Sequence, residues 1–277
     1  MNETAFSFDP DWMGTLTAPF MTNAFLAGLC IALAAGVMGY FTIARHSTFA
    51  AHALAHIGLP GATGAVLLGL PVSAGLGVFA LGGALVIGAL GKRHRTRNRH
   101  RNRIGVRHRH GSVFRTLVQF RLAADAIDSF RLHPDDHGRA DRRICGFRRV
   151  LLAVLAVIYR PLLFSSLDEQ VAQAKGVPVN LMNICFMAIM AGVITIAVPA
   201  VGTLLIFALV VTPAATANII SRSPFAAMVV STVICLISIW GGLLVSAMFP
   251  APPSFIIVTI STLFWIVAKI IESARRR

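Results

Sequence analysis

An all-α, polytopic transmembrane helix bundle is the fold class that this 277-residue chain predicts, and three observations carry that reading. The windows 46–91, 176–221 and 223–268 contain no Asp, Glu, Lys or Arg. A membrane-spanning helix needs about 20 apolar residues, so each window holds two spans and a turn. Each window is bracketed by cations (Arg45/Lys92, Lys175/Arg222, Arg222/Lys269). Each also carries proline where the turn should fall: Pro71, Pro199, and the group Pro250, Pro252 and Pro253. Lys and Arg flank spans on the cytoplasmic side, so the ends of all three hairpins are expected to face inward. The composition agrees: 56% hydrophobic and 13% charged residues exclude an ordinary soluble globule.

In chain order, a fourth charge-free window, 12–44, supplies the first span at 23–44. Spans follow at 52–70, 72–91, 181–198, 200–220, 226–249 and 253–271, about seven in the chain as written. Glu3, Asp9 and Asp11 precede the first span and Arg45 follows it, which predicts an N-terminus outside. The beginning lacks the basic n-region of a signal peptide. Arg275, Arg276 and Arg277 predict a C-terminus inside. Three regions result: N-terminal transmembrane helices over 1–92, an atypical segment at 93–149, and C-terminal transmembrane helices over 150–277 with a cytoplasmic loop at 160–180. Lys92 and Arg160 should both be inside, so zero or two crossings separate them. The apolar stretch 150–158 is too short to cross alone. Cys30, Cys185 and Cys235 lie in apolar spans and Cys145 in the basic segment. No Cys-x-x-Cys is present, so neither a disulfide framework nor a thiolate metal site is indicated.

The net charge of +14 is local. Residues 93–149 hold 16 of the 22 arginines, six of the nine histidines and five of the 11 acids, leaving nine cations and six acids elsewhere. The block opens HRTRNRHRNR at His94. It starts abruptly after one apolar helix and stops abruptly before another stretch of the same kind. A solvated cytoplasmic loop, an Arg-rich arm for nucleic acid or anionic lipid, and a histidine-rich metal-sensing loop are three readings. None fits the spacing well, because aromatic interleaving and an ordered histidine repeat are both lacking. A fourth reading is genetic. Shifted by one base, arginine codons become codons for Ala, Val, Gly, Asp or Glu, and histidine and asparagine codons become Thr, Ile or Met. Arg97 to Gly111 can be back-translated so that the next frame reads EIATGIGLAFATGTG, a membrane-like sequence. The segment from His94 to Arg160 has room for two spans.

Three local features carry chemistry. In Ala51-His52-Ala53-Leu54-Ala55-His56-Ile57-Gly58-Leu59-Pro60-Gly61, two histidines four apart share one helix face. Two imidazoles so placed can ligate one divalent ion, zinc being the natural first guess. Ionisable side chains inside a span are costly and usually face a cavity or pathway. The plainer reading is a pair of interfacial histidines wetted at a helix start. Second, Asp168-Glu169-Gln170-Val171-Ala172-Gln173-Ala174-Lys175-Gly176-Val177-Pro178 reads as a short polar helix stopped by Gly176 and Pro178. It is either an ordinary connection or a coupling helix that docks into a cytoplasmic ATPase. Third, Pro199 and Gly202, followed by Pro213 inside an apolar span, mark helix breaks. Such breaks are tolerated where protein or a water-lined path re-satisfies the backbone. Small residues after Pro213 permit close helix packing, which alone would account for this feature. There is no P-loop, Walker motif or HExxH, and Gly75-Leu76-Gly77 follows no strand, so neither a nucleotide site nor an enzyme active site is implied.

Together these stretches resemble the membrane permease subunits of ABC importers for zinc, manganese or iron(II). AHALAHIGLPG, with the Ser/Thr-rich residues before it (47–61), is similar to the family's S-x-x-GD-x-x-(A/S)HA-x-x-x-G. DEQVAQAKGVPV (168–179) is similar to its D-x-x-x-A-x-x-x-G-(V/L) coupling segment. VGTLLIFALVVTPAATA (201–217) is similar to its VG-x-LL-x-x-(A/S)-L-(L/V)-(I/V)-x-PA-A-x-A stretch. The resemblance covers roughly 23–92 and 150–271. It implies a multi-pass protein of a bacterial inner membrane that binds no cofactor and forms the path for a transported metal, zinc or manganese. It also implies a cytoplasmic ATP-binding subunit that hydrolyses ATP, an extracytoplasmic metal-binding protein that delivers the ion, and a permease homodimer surrounded by membrane lipid. His52 and His56 would contact the ion. Asp168, Glu169, Ala172, Gly176 and Pro178 would form the coupling loop, and Pro199, Gly202 and Pro213 would shape the moving helices.

Two departures stand out. The family has Asp where His52 stands, and losing that negative charge leans towards zinc, since manganese prefers oxygen ligands. The family also has two further spans, nine in all, where 93–149 stands. The alternatives are a non-functional frameshifted remnant, or a membrane protein whose basic cytoplasmic arm binds nucleic acid or anionic lipid. A proton-coupled carrier is the weaker rival, because such carriers usually bury acids in their spans and these spans have none.

Overall fold

The computed structural model describes residues 12–98, 159–249 and 251–275, with side chains described outside 90–98. Beyond the backbone of 93–98, the basic segment lies outside the described residues, and so do the cytoplasmic arm and the frame change read into it. All regular structure among the described residues is helical. A short helix, α1 (Trp12–Thr17), leads into α2 (Pro19–Ala44), α3 (Thr48–Leu67) and α4 (Val72–Asn98). The described end of α5 covers 159–167. Then come α6 (Glu169–Ala174), α7 (Val179–Val201), α8 (Thr203–Ile220), α9 (Pro224–Met248) and α10 (Pro253–Arg275).

Each of the seven spans expected from the sequence coincides with a long helix. Six of these, α2, α4 (over Val72–Ala89) and α7 to α10, are long and apolar enough to cross a membrane. The remaining one, α3, is 20 residues long, about 30 Å at 1.5 Å per residue, but His52, His56 and Pro60 dilute its hydropathy. It starts at Thr48 rather than 52, which places His52 within the helix instead of at its first residue. Pro71 lies in the turn between α3 and α4 as expected. Pro199 does not make the next turn. Helix α7 continues past it to Val201, and the chain breaks at Gly202, whose φ of 83° and ψ of 163° suit glycine alone. Pro213 likewise lies inside α8, which continues to Ile220. Lacking an N–H, Pro213 takes the helix donor from the Leu209 carbonyl. The buried Cys235 thiol on α9 donates to that oxygen at 3.9 Å, a local re-satisfaction of the kind membranes demand.

The helices sort into two groups. Helices α3, α4 and α7 pack as one, and α2, α8, α9 and α10 as the other. Helices α3 and α4 form an antiparallel hairpin in which Gly61 and Gly75 pack backbone to backbone. A Cβ on either would collide with the other's carbonyl oxygen. In α7 and α4, Gly88 faces Ile184 and Gly77 faces Thr195, so these two also run antiparallel. The later end of α4 therefore shares a face of the bundle with the start of α7. Phe41, near the end of α2, meets Tyr159 edge to face at 6.2 Å. The described ends on either side of 99–158 thus lie towards one face. Helix α7 is the most enclosed of the six apolar spans, and α10 the least.

Candidate functional site

Helix α3 lies on the seam between the two groups, touching α4 and α7 on one side and α8 on the other. Its second and third turns carry His52 and His56. The two rings meet edge to face with centroids 4.6 Å apart, as the i, i+4 spacing dictates. From across the seam Phe207 of α8 presses its ring against His52 at 4.7 Å, fixing the imidazole from a second side. Beneath them a narrow apolar crevice runs between Ala51 and Ala55 of α3, Met190 and Ile194 of α7, and Phe207 of α8. His52 Nδ1 is buried and has no hydrogen-bond partner among the described residues. Such an atom in a membrane interior costs on the order of 1–3 kcal/mol unless something binds it. Pro60 adds to this, because it withholds the helix donor that the His56 carbonyl would otherwise use. Among the described residues no group of three His, Cys, Asp or Glu side chains converges. Among the described residues, this site thus offers two imidazoles.

The second site is the segment 168–178. Asp168 accepts from the backbone N–H groups of Gln170 (2.9 Å) and Val171 (3.0 Å), capping α6, and Glu169 places a second acid in its first turn. Ala172 is completely buried and holds the short helix down on the bundle. The stop comes from Gly176 in a left-handed conformation (φ 79°), with the Val177 N–H donating to the Ala172 carbonyl at 3.0 Å. Pro178 then caps α7. Lys175 lies over the Phe164 ring at 5.6 Å, tying the segment to α5. Leu167 and Val171 stay exposed, an apolar edge beside the acidic cap.

A third cluster joins these two. Arg45, at the end of α2, reaches Ser165 and Ser166 on α5 and Asn183 on α7. In the sequence Arg45 serves only as a topology marker. Its partners lie 120 to 138 positions away, so no local signal names them. Phe207 was equally unmarked, one apolar residue in an apolar span.

With this geometry in place, comparison with known proteins is decisive. The model of the ABC 3 transport family matches residues 17–109 and 143–272, most of the chain. The chain belongs to the ABC 3 transport family. It is a multi-pass cell-membrane protein, a transport component rather than an enzyme. The manganese import system permease protein ScaB of Streptococcus parasanguinis is 29% identical over 265 residues, covering 93% of this chain and 92% of that protein. The high-affinity zinc uptake system membrane protein ZnuB of Buchnera aphidicola is 30% identical over 121 residues, 44% of this chain and 46% of that one. A solved structure of PsaBC from Streptococcus pneumoniae in complex with Fab shares the fold, with a TM-score of 0.68 over 93% of this chain and 94% of that chain at 23% identity. The family match lapses between 109 and 143. Yet the ScaB alignment reaches more of the chain than lies outside 93–149, so the basic block occupies family length rather than adding to it.

Proposed function

We propose that this family member is the membrane permease of an ATP-driven importer of divalent metal ions, carrying zinc or manganese. The observation that carries the reading is the His52–His56 pair on the seam of the bundle, with a buried ring nitrogen of His52 left without a partner among the described residues. The manganese and zinc uptake systems to which its relatives belong support the same cargo class. Imidazole in place of a carboxylate favours zinc. Zinc usually takes four ligands, and one chain supplies two imidazoles. A homodimer with two-fold symmetry would bring four to one axis, or water would complete the shell.

In this reading the segment from Asp168 to Pro178 docks on a cytoplasmic ATP-binding subunit, and an extracytoplasmic metal-binding protein delivers the ion. Pro199, Gly202 and Pro213 set where the flanking helices bend or part. The N-terminus lies outside and the C-terminus inside. Residues 93–149 are read as an out-of-frame stretch standing where two spans belong. The lapse of the family match over 110–142, inside a stretch that fills family length, supports this over an inserted arm.

The test is reconstitution with both partner proteins in proteoliposomes, using the chain as written and a version with 93–149 re-read in the alternative frame. ATP-dependent zinc or manganese accumulation by the re-read chain, with little by the chain as written, is expected. Metal movement by neither sinks the importer reading. If the coding DNA has no membrane-like alternative frame over 93–149, the frame reading fails and salt-dependent nucleic-acid or lipid binding by the basic arm becomes the better account.

A further inference from the structure

We propose that Arg45 is a positioning residue that links the coupling segment to the histidine-bearing helix, so that displacing one moves the other. The inference deepens the importer reading and rests on it for its meaning in transport, though not for its mechanics.

The guanidinium hydrogen-bonds side chains on two elements, α5 and α7. Nε donates to Ser166 Oγ at 2.9 Å, Nη2 donates to Ser165 Oγ, and Nη1 donates to Asn183 Oδ1 at 3.5 Å. Its face lies 5.4 Å from the centre of the Phe186 ring. The serines are set to receive it. Ser165 and Ser166 both donate their own hydroxyl protons to the Leu162 carbonyl, at 3.0 and 2.6 Å, which leaves their lone pairs for the guanidinium. Asp168, the cap of α6, follows two residues after Ser166, and its N–H donates to the Phe164 carbonyl at 3.3 Å. The coupling segment is thus held to Arg45 through less than one turn of helix.

On the other side, the connection to the histidines has little slack. Arg45 ends α2, and α3 begins at Thr48. His46 adopts a left-handed conformation (φ 52°). Its N–H donates to the Ile43 carbonyl at 3.0 Å, and that of Ser47 donates to the Thr42 carbonyl at 2.8 Å. This double closure is a stiff helix stop. His52 is the fifth residue of α3, just over one turn beyond this stop. A planar fork with several fixed donors suits this role, and a lysine ammonium would not reproduce it.

The experiment is hydrogen–deuterium exchange on the full chain in lipid nanodiscs, comparing wild type, the double variant Ser165→Ala/Ser166→Ala, and Arg45→Lys. Hydrogen bonds to a charged group should hold exchange down by roughly tenfold or more. Both variants are expected to exchange faster over 168–177 and, at the same time, over 46–58. Ser231→Ala, a buried serine with no partner among the described residues, should change neither stretch. Faster exchange in only one stretch, or in neither, overturns the proposal. In the reconstituted importer the same variants should keep ATP hydrolysis while moving less metal per ATP, and an unchanged ratio also counts against the link. If neither the chain as written nor the version with 93–149 re-read moves metal, the importer reading fails, and the exchange result still decides whether the two stretches are joined.

Discussion

The two polar clusters at neighbouring ends of α2 and α3 are built in opposite ways. Around Arg45 the partners are themselves held in place, with serine hydroxyls oriented by the Leu162 carbonyl and the Phe186 ring beneath the cation. Around His52 one buried imidazole nitrogen has no hydrogen-bond partner among the described residues, and its ring meets another imidazole and a phenyl ring. A satisfied cluster in an apolar bundle rigidifies it, whereas an unsatisfied one is costly unless a ligand completes it. On the proposed reading, the first cluster serves transmission and the second the cargo.

The comparison can be broken most directly at the histidines. Changing His52 and His56 together to Ala should abolish ATP-dependent metal uptake while membrane insertion, followed by protease protection, stays intact. Normal uptake would remove the second half of the contrast. Next in size is Gly61→Leu. Its side chain has no room against Gly75 and Phe79, and overpacking of this kind costs about 1–3 kcal/mol, so thermal unfolding in detergent should start several degrees lower. Phe207→Leu should act on the cargo cluster alone. An aromatic contact contributes about 0.5–1.5 kcal/mol, so the apparent metal affinity in uptake assays should change by roughly two- to tenfold with little change in stability. Asp168→Ala removes a cap of about 1 kcal/mol and should lower coupled ATP hydrolysis a few-fold, with Asp168→Asn restoring most of it. Smallest is Cys235→Ala. It leaves the Leu209 carbonyl without its thiol donor, and less than about 1 kcal/mol of stability should be lost, as read by thermal unfolding.

Much of this molecule was legible in the sequence because a membrane simplifies the code. Three charge-free windows bounded by cations and a fourth between Asp11 and Arg45 located seven helices, and the i, i+4 spacing alone placed His52 and His56 on one face. The capped helix after Asp168 and its stop at Gly176 followed from local chemistry and are found in the structure. What the sequence could not supply is long-range. Phe207 meets His52 across 155 positions of chain, and no periodicity marks one phenylalanine among 18. Arg45 lies among Ser165, Ser166 and Asn183 only once α2, α5 and α7 come together. The turn after α7 was placed three residues early, because proline attracts attention as a breaker although a helix tolerates it near its end. The left-handed φ of Gly202 is what stops the chain.

The central claim is that His52 and His56 hold the ion on its way through the bundle. Zinc X-ray absorption on the nanodisc-embedded chain, loaded with zinc alone, tests it most directly. The account predicts a first shell containing imidazole nitrogens at about 2.0 Å that disappears in the His52→Ala/His56→Ala variant. A shell of oxygen or sulfur only, or an imidazole shell unchanged in that variant, would contradict it.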